Sequence, residues 1–315
     1  MLKSPLVRVI VVVGVLCAVG SILHMRKPTR LPRRSGQIIF KDQCLNNFSD
    51  RAIWIADLDS GVLTRVHGVR DVERVDSVLG LEGGRKMIRV ERGNGNWTAG
   101  SIVTRLGSGV EKRLKLPDKY LSFGFIAGYD CRRQILVLSS HTDILLCDQA
   151  TGRTHQVTTK YNIFWSPVCA KGGLVAGVDD RNGDIVLISV TDGAVRGRFS
   201  VGQVRRPVLS PTGRQIAYYV YGRNALVLAD IRGTALHTRL SVKLPARTFC
   251  RAEWSPDAKT VAIELDKCVL LQSVGFSELY LADSVSGRLW KTPWEVDRGC
   301  WRWCGECDLR LQAGP

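Results

Sequence analysis

Trp254-Ser255-Pro256-Asp257-Ala258-Lys259-Thr260-Val261-Ala262, followed by Leu279-Tyr280-Leu281-Ala282-Asp283 and Gly287, is the stretch that decides the fold. A proline fixes φ, a glycine or its substitute relieves the next crowded position, and apolar residues on both sides extend away as strands. The first half has two earlier copies. Trp165-Ser166-Pro167 is followed by Gly172-Gly173-Leu174-Val175-Ala176, and Leu209-Ser210-Pro211-Thr212-Gly213 by Arg214-Gln215-Ile216-Ala217. The second half is an apolar strand that ends in a polar residue, with Gly four positions on. It recurs at Ile53–Asp57 with Gly61, Ile102–Arg105 with Gly109, Ile144–Asp148 with Gly152 and Ile185–Ser189 with Gly193. A further copy, Leu226–Asp230, has Thr234 where the others have Gly. Aspartate accepts backbone hydrogen bonds in such a turn and glycine supplies positive φ, so each copy is expected to close a hairpin.

Each unit of about 45 residues therefore holds roughly four short strands, and no stretch after residue 36 shows a helical period. The central strands are apolar throughout, as in sheets buried on both faces. Four-stranded sheets stacked face to face around an axis satisfy this pattern. The expected fold class is all-β, a six-bladed β-propeller with a single N-terminal transmembrane or signal segment; seven blades is the alternative. Blade one lacks an innermost strand, since only Ile38–Phe40, Ile53–Asp57 and Val62–Val66 read as strands there. Cys300-Trp301-Arg302-Trp303-Cys304-Gly305 supplies the missing piece, with Trp303 in the place of Trp165 and Trp254. Such a strand would join the two ends of the ring and leave no open seam.

The chain has 315 residues and a net charge of +16, with 45% apolar and 23% charged side chains. These totals exclude an acidic solvating protein and a polytopic membrane protein. Residues 1–35 hold seven basic side chains and no acidic one, around an apolar run over Val9–Leu23. That run reads as a signal anchor or a signal peptide over 1–25; the preferred reading is an uncleaved anchor. Residues 26–36 read as a basic linker, 37–309 as the propeller and 310–315 as a tail. Five basic residues after the run against two before it argue for a cytoplasmic body, whereas the signal character and the cysteines argue for export. Export, to the periplasm or the cell surface, is the reading adopted.

The repeat resembles the TolB-like family of six-bladed propellers over roughly residues 37–309. The likeness is best in 161–290 and weak between 70 and 130, where Gly83-Gly84-Arg85-Lys86-Met87-Ile88 alone matches the turn. It implies export and binding to other proteins. The same repeat also forms the propeller of prolyl-oligopeptidase-type peptidases, whose hydrolase domain has no counterpart in these 315 residues.

No nucleophile elbow is present, and no catalytic residue is assigned. His141 and His155 are expected at exposed turns. Cys300, Cys304 and Cys307 are weak zinc candidates with a fourth ligand such as Cys44; for an exported chain a disulfide from this cluster to Cys44 is the stronger reading than zinc, and buried free thiols are the remaining alternative. Innermost strands line a propeller's channel, and counting back from the Ser-Pro turns brings Arg205, Arg206, Arg251 and Arg302 toward one mouth. They are candidates for an anionic ligand or an acidic peptide, the alternative being solvated rim arginines. The basic excess is dispersed and no aromatic stacking platform accompanies it, which argues against nucleic acid. No cofactor is expected. The function read from the sequence is a non-catalytic, membrane-anchored or exported monomer that binds a protein partner or an anionic envelope component. A channel-sited hydrolase or lyase is the alternative.

Overall fold

The computed structural model describes residues 36–304 apart from 43–51, 68, 70–74, 82–85, 93–98, 107–108, 117–124, 131, 164–165, 169–172, 246–248 and 267–275. The expected anchor, residues 26–35 of the linker, the tail, Cys44 and Cys307 lie outside the described residues. No helix among the described residues is long and apolar enough to cross a membrane.

The strands form a ring of six antiparallel blades. Blade one holds β1 (Gln37–Asp42), β2 (Ile53–Asp57) and β3 (Leu63–Arg65). Blade two is β4 (Val75–Leu81), β5 (Lys86–Arg92), β6 (Ala99–Leu106) and β7 (Glu111–Lys115). Blade three is β8 (Phe125–Asp130), β9 (Ile135–Ser139), β10 (Asp143–Asp148) and β11 (Thr154–Thr158). Blade four comprises β12 (Leu174–Asp179), β13 (Asp184–Ser189) and β14 (Val195–Phe199), and its inner edge is marked by a bridge between Asn162 and Val178. Blade five is β15 (Val204–Leu209), β16 (Gln215–Val220), β17 (Ala225–Arg232) and β18 (Ala235–Lys243). Blade six has β19 (Phe249–Trp254), β20 (Thr260–Asp266) and β21 (Phe276–Asp283), and then runs into β22 (Leu289–Cys304).

That last strand belongs to two blades. Its first half pairs with β21, from Leu289 opposite Ala282 to Asp297 opposite Phe276. Its second half becomes the innermost strand of blade one, with Trp301 opposite Phe40, Arg302 opposite Ile39 and Cys304 opposite Gln37. One strand thus links the last blade to the first, and the carboxyl-terminal residues satisfy the edge that β1 would otherwise expose. Trp303 also does what its repeat position requires. Its indole donates to the Glu253 carbonyl at 3.2 Å, as the Trp254 indole donates to the Val208 carbonyl of the preceding blade at 3.1 Å.

Apolar clusters fill the spaces between successive blades. Blades two and three share one that includes Leu79, Ile88, Ile126 and Leu138; blades five and six share another with Leu226, Trp254 and Val261. Strands that are buried on both faces explain the unbroken apolar runs in the sequence. At the one-to-two interface Cys304 lies against Gly80, where a Cβ would stand 2.6 Å from its sulfur, so only glycine lets the closing strand approach this closely.

The turns carry out the chemistry that their residues suggest. Asp57, Asp148 and Asp283 each accept two backbone N–H bonds from the residues two and three positions on. The Ser60 amide at Asp57 and the Thr151 amide at Asp148 hold both carboxyls below the usual carboxylate range. In the Ser-Pro turns Ser210 and Ser255 bond across to Gln215 and Thr260, and the tip residue adopts φ +69° at Gly213 and +58° at Ala258. The Leu226–Asp230 copy departs from the pattern. β17 runs on to Arg232 and turns tightly at Gly233-Thr234, because no glycine follows Asp230 at the fourth position.

Blade two is complete although its repeat signature is weak. There a charged cluster stands on the sheet: Arg89, 1% exposed, bonds Glu91 at 2.7 Å and Glu111 at 2.8 Å, and Arg113 reaches Glu91 at 2.5 Å. A Lys-Met-Ile-Arg-Val-Glu-Arg strand therefore does not read as an apolar run.

Candidate functional site

In an antiparallel meander, inner strands begin at the same end as the second-to-third strand connections. The first-to-second and third-to-fourth turns share the other end. The mouth at which inner strands begin is therefore built by the connections around 140–142, 159–162, 180–183, 200–203 and 221–224.

Directly inside the ring the channel is filled. Arg251 and Arg302, 1% and 4% exposed, project from β19 and β22 onto Glu253, at 3.0 and 3.2 Å. Arg251 also donates to the Trp301 carbonyl at 2.5 Å and lies 3.8 Å from Glu264, whose carboxylate accepts the Trp301 indole N–H at 2.7 Å. Arg302 reaches across to the Ile126 and Ala127 carbonyls of blade three. Phe125 lies under both guanidinium groups, 4.9 Å from that of Arg251 and 5.4 Å from that of Arg302. Burial pushes the Arg251 guanidinium below its ordinary value, against the pull of Glu253 and Glu264. These two arginines hold blades one, three and six together, with their charge met inside the ring.

Arg205 and Arg206 sit elsewhere. Together with Arg181, His141, Asn162, Asn182, Gln203 and Tyr221, they line a cavity of 590 Å³ that opens at the mouth over blades three to five. Among the described residues that line it, three are arginines, one is a histidine and one, Asp180, carries a carboxylate. Each wall has a visible support. Arg198 bonds Asp179 and Asp184 at 3.0 Å each, which clamps both ends of the 180–183 connection that presents Arg181. This contact holds Asp179 below the carboxylate range; at Asp184 the Ser200 side chain contributes most and Arg198 next. Gly183 closes the lip, since a Cβ there would meet the Gly202 carbonyl oxygen at 2.6 Å.

On the facing wall, the Arg205 guanidinium lies 5.0 Å from the Tyr221 ring. Tyr221 meets Tyr219 edge-on at 6.5 Å, and Tyr219 stacks on Phe249 at 4.7 Å. Arg206 donates to the Phe249 carbonyl at 3.2 Å. Its φ of +50°, directly before Pro207, lies in the left-handed region that non-glycine residues avoid. Strain of this kind persists only where its surroundings impose it, and it clusters at binding sites.

The structure separates the four arginines that the sequence brought to one mouth: two close the ring and two line the cavity. Glu264, which completes the interior network, had a visible signal as the carboxylate that interrupts the apolar Val261–Leu265 run. His141 lies in a turn and lines the cavity, whereas His155 falls inside β11, contrary to the turn expected for it. Cys300 and Cys304 are buried, the Cys300 thiol donates to the Val75 carbonyl at 3.8 Å, and burial pushes the Cys304 thiol up to about 12. Among the described residues no group of three or more His, Cys, Asp or Glu side chains is placed to hold a metal ion.

A closed ring of six antiparallel blades is a six-bladed β-propeller. Its fold is similar to that of TolB from Acinetobacter baumannii, with a TM-score of 0.61 and 16% identity over 88% of this chain and 69% of the other. KlHsv2 with loop 6CD replaced by a Gly-Ser linker aligns more loosely, with a TM-score of 0.47 and 12% identity over 74% of this chain and 71% of the other. No protein-family model matches the chain, and no curated protein matches it.

Proposed function

We propose that the chain is a non-catalytic propeller, membrane-anchored or exported to the extracytoplasmic side, that binds a protein partner through an acidic segment seated in the mouth. The observation that carries this reading is the division of labour among the arginines. Arg251 and Arg302 meet buried carboxylates inside the ring, whereas Arg181, Arg205 and Arg206 line a cavity at the mouth whose described lining holds one carboxylate, that of Asp180. Guanidinium groups bind carboxylates in paired, planar geometry, and Asn162, Asn182 and Gln203 supply amides that suit a peptide backbone. Tyr221, 63% exposed, offers a rigid aromatic wall of the kind that anchors an interface.

The test is titration of the full chain with a fluorescent oligo-glutamate peptide, read by anisotropy. Arg205→Glu with Arg206→Glu should weaken binding at least about tenfold, since each reversal replaces an attraction by a repulsion. The same peptide with Glu replaced by Lys should not bind. Equal affinity of the native chain and the double variant would refute the assignment.

A further inference from the structure

Arg205 and Arg206 are consecutive on β15, and consecutive side chains of a regular strand point to opposite faces of the sheet. Both nevertheless reach one row of aromatic rings. Arg205 lies at its Tyr221 end, 5.0 Å from the ring, and Arg206 at its Phe249 end, where it donates to the main-chain carbonyl at 3.2 Å. Tyr219 stands between them, edge-on to Tyr221 and stacked on Phe249. The strand pairing shows how. Arg205 is opposite Tyr219 and Val208 is opposite Ala217, so three steps along β15 match two along β16. The extra residue makes a β-bulge, and bulges re-aim side chains.

The bulge is held in a costly conformation. Among the described residues four non-glycines have positive φ; Gln134, Asn224 and Ala258 stand in turns, and Arg206 alone lies inside a strand. A Cβ resists its φ of +50°, and the proline that follows restricts the position further. Glycine would adopt this φ freely. The chain instead places a guanidinium there, beside a cavity of 590 Å³ that Arg205, Arg206 and Tyr221 all line.

We propose that the Arg206-Pro207 bulge is the specificity element of the mouth, and that it selects two neighbouring carboxylates over separated ones. This rests on the acidic-segment reading above and narrows the segment to a pair such as Glu-Glu or Asp-Asp. Two guanidinium groups along one aromatic row offer two forks of N–H donors, each matched to a carboxylate. An isolated carboxylate occupies one fork and leaves the other to water. An adjacent pair engages both, and the second contact forms without further loss of freedom of the bound segment.

Anisotropy titrations of the full chain test this with two labelled Gly-Ser peptides of equal charge. One carries Glu-Glu, and the other carries its two Glu residues at opposite ends of a long Gly-Ser spacer. The adjacent pair should bind about tenfold tighter, the gain from one further charge-assisted contact. Arg206→Ala should erase that preference. If Arg206 served only to tie β15 to Phe249, the variant would weaken both peptides by one factor and keep the preference. Arg206→Gly and Arg206→Ala, which both lack the guanidinium, test the strained backbone. The Gly variant should have the higher urea midpoint, whereas in a relaxed strand Ala would be the more stable. Equal affinity of the native chain for both peptides, a preference that survives Arg206→Ala, or a higher midpoint for Ala would overturn the proposal. Binding of oligo-glutamate without the preference would sink this proposal alone. Failure of the native chain to bind oligo-glutamate at all would sink the acidic-segment reading and this proposal with it.

Discussion

Replacing Glu253 by Ala should cost the propeller about 3–5 kcal/mol, read as a fall in the urea midpoint at unchanged slope. Glu253 is 6% exposed and accepts from both Arg251 and Arg302. Without it, two guanidinium groups stay buried with Glu264 as their one remaining carboxylate in this network, and an uncompensated buried charge costs far more than its pair contributed. The triple variant Glu253→Leu, Arg251→Met, Arg302→Met separates pairing from packing. It should recover most of the loss, because apolar groups of similar volume can replace a buried ion network. A cost under about 1 kcal/mol for Glu253→Ala would mean that water reaches these charges and that the channel is open, not sealed.

Trp301→Ala should be comparably damaging, at about 3–5 kcal/mol, with the loss felt in blades one and six together. Trp301 is fully buried, faces the Arg251 guanidinium at 4.4 Å and donates its indole N–H to Glu264. Truncation leaves a cavity and strips Glu264 of a donor. Trp301→Phe retains most of the volume but loses the donor, so its smaller loss isolates the hydrogen bond. Proteolysis of both variants should begin in residues 289–304 and 37–57, the strands that the closure ties together. Cleavage confined to the middle of the chain would show that the ring does not depend on this contact.

The ring itself was readable because its markers are local. A Ser-Pro turn and an Asp turn closed by Gly each report their geometry within a few residues, and Trp303 announced the closing strand by standing where Trp165 and Trp254 stand. Blade two was nearly silent, since Arg89, Glu91, Glu111 and Arg113 place charges on strands that elsewhere are apolar. The site was legible in composition and not in arrangement. Position along an inner strand brought Arg206 and Arg251 to equivalent places. The structure nevertheless puts a carboxylate beside one and a cavity beside the other, and that outcome depends on which blades face each other across the ring. Glu253 and Arg251, two residues apart, were visible as neighbours. Their meeting with Arg302, some fifty residues later, requires the ring to be closed first.

Closure by the chain's own last strand is the claim on which the site depends, and native-state amide exchange of Trp301, Arg302, Trp303 and Cys304 tests it most directly. If the strand seals blade one, these amides exchange only through global unfolding, with the same denaturant dependence as those of β1 and β20. Exchange at the rate of a frayed terminus, insensitive to denaturant while β20 remains protected, would contradict the closed ring.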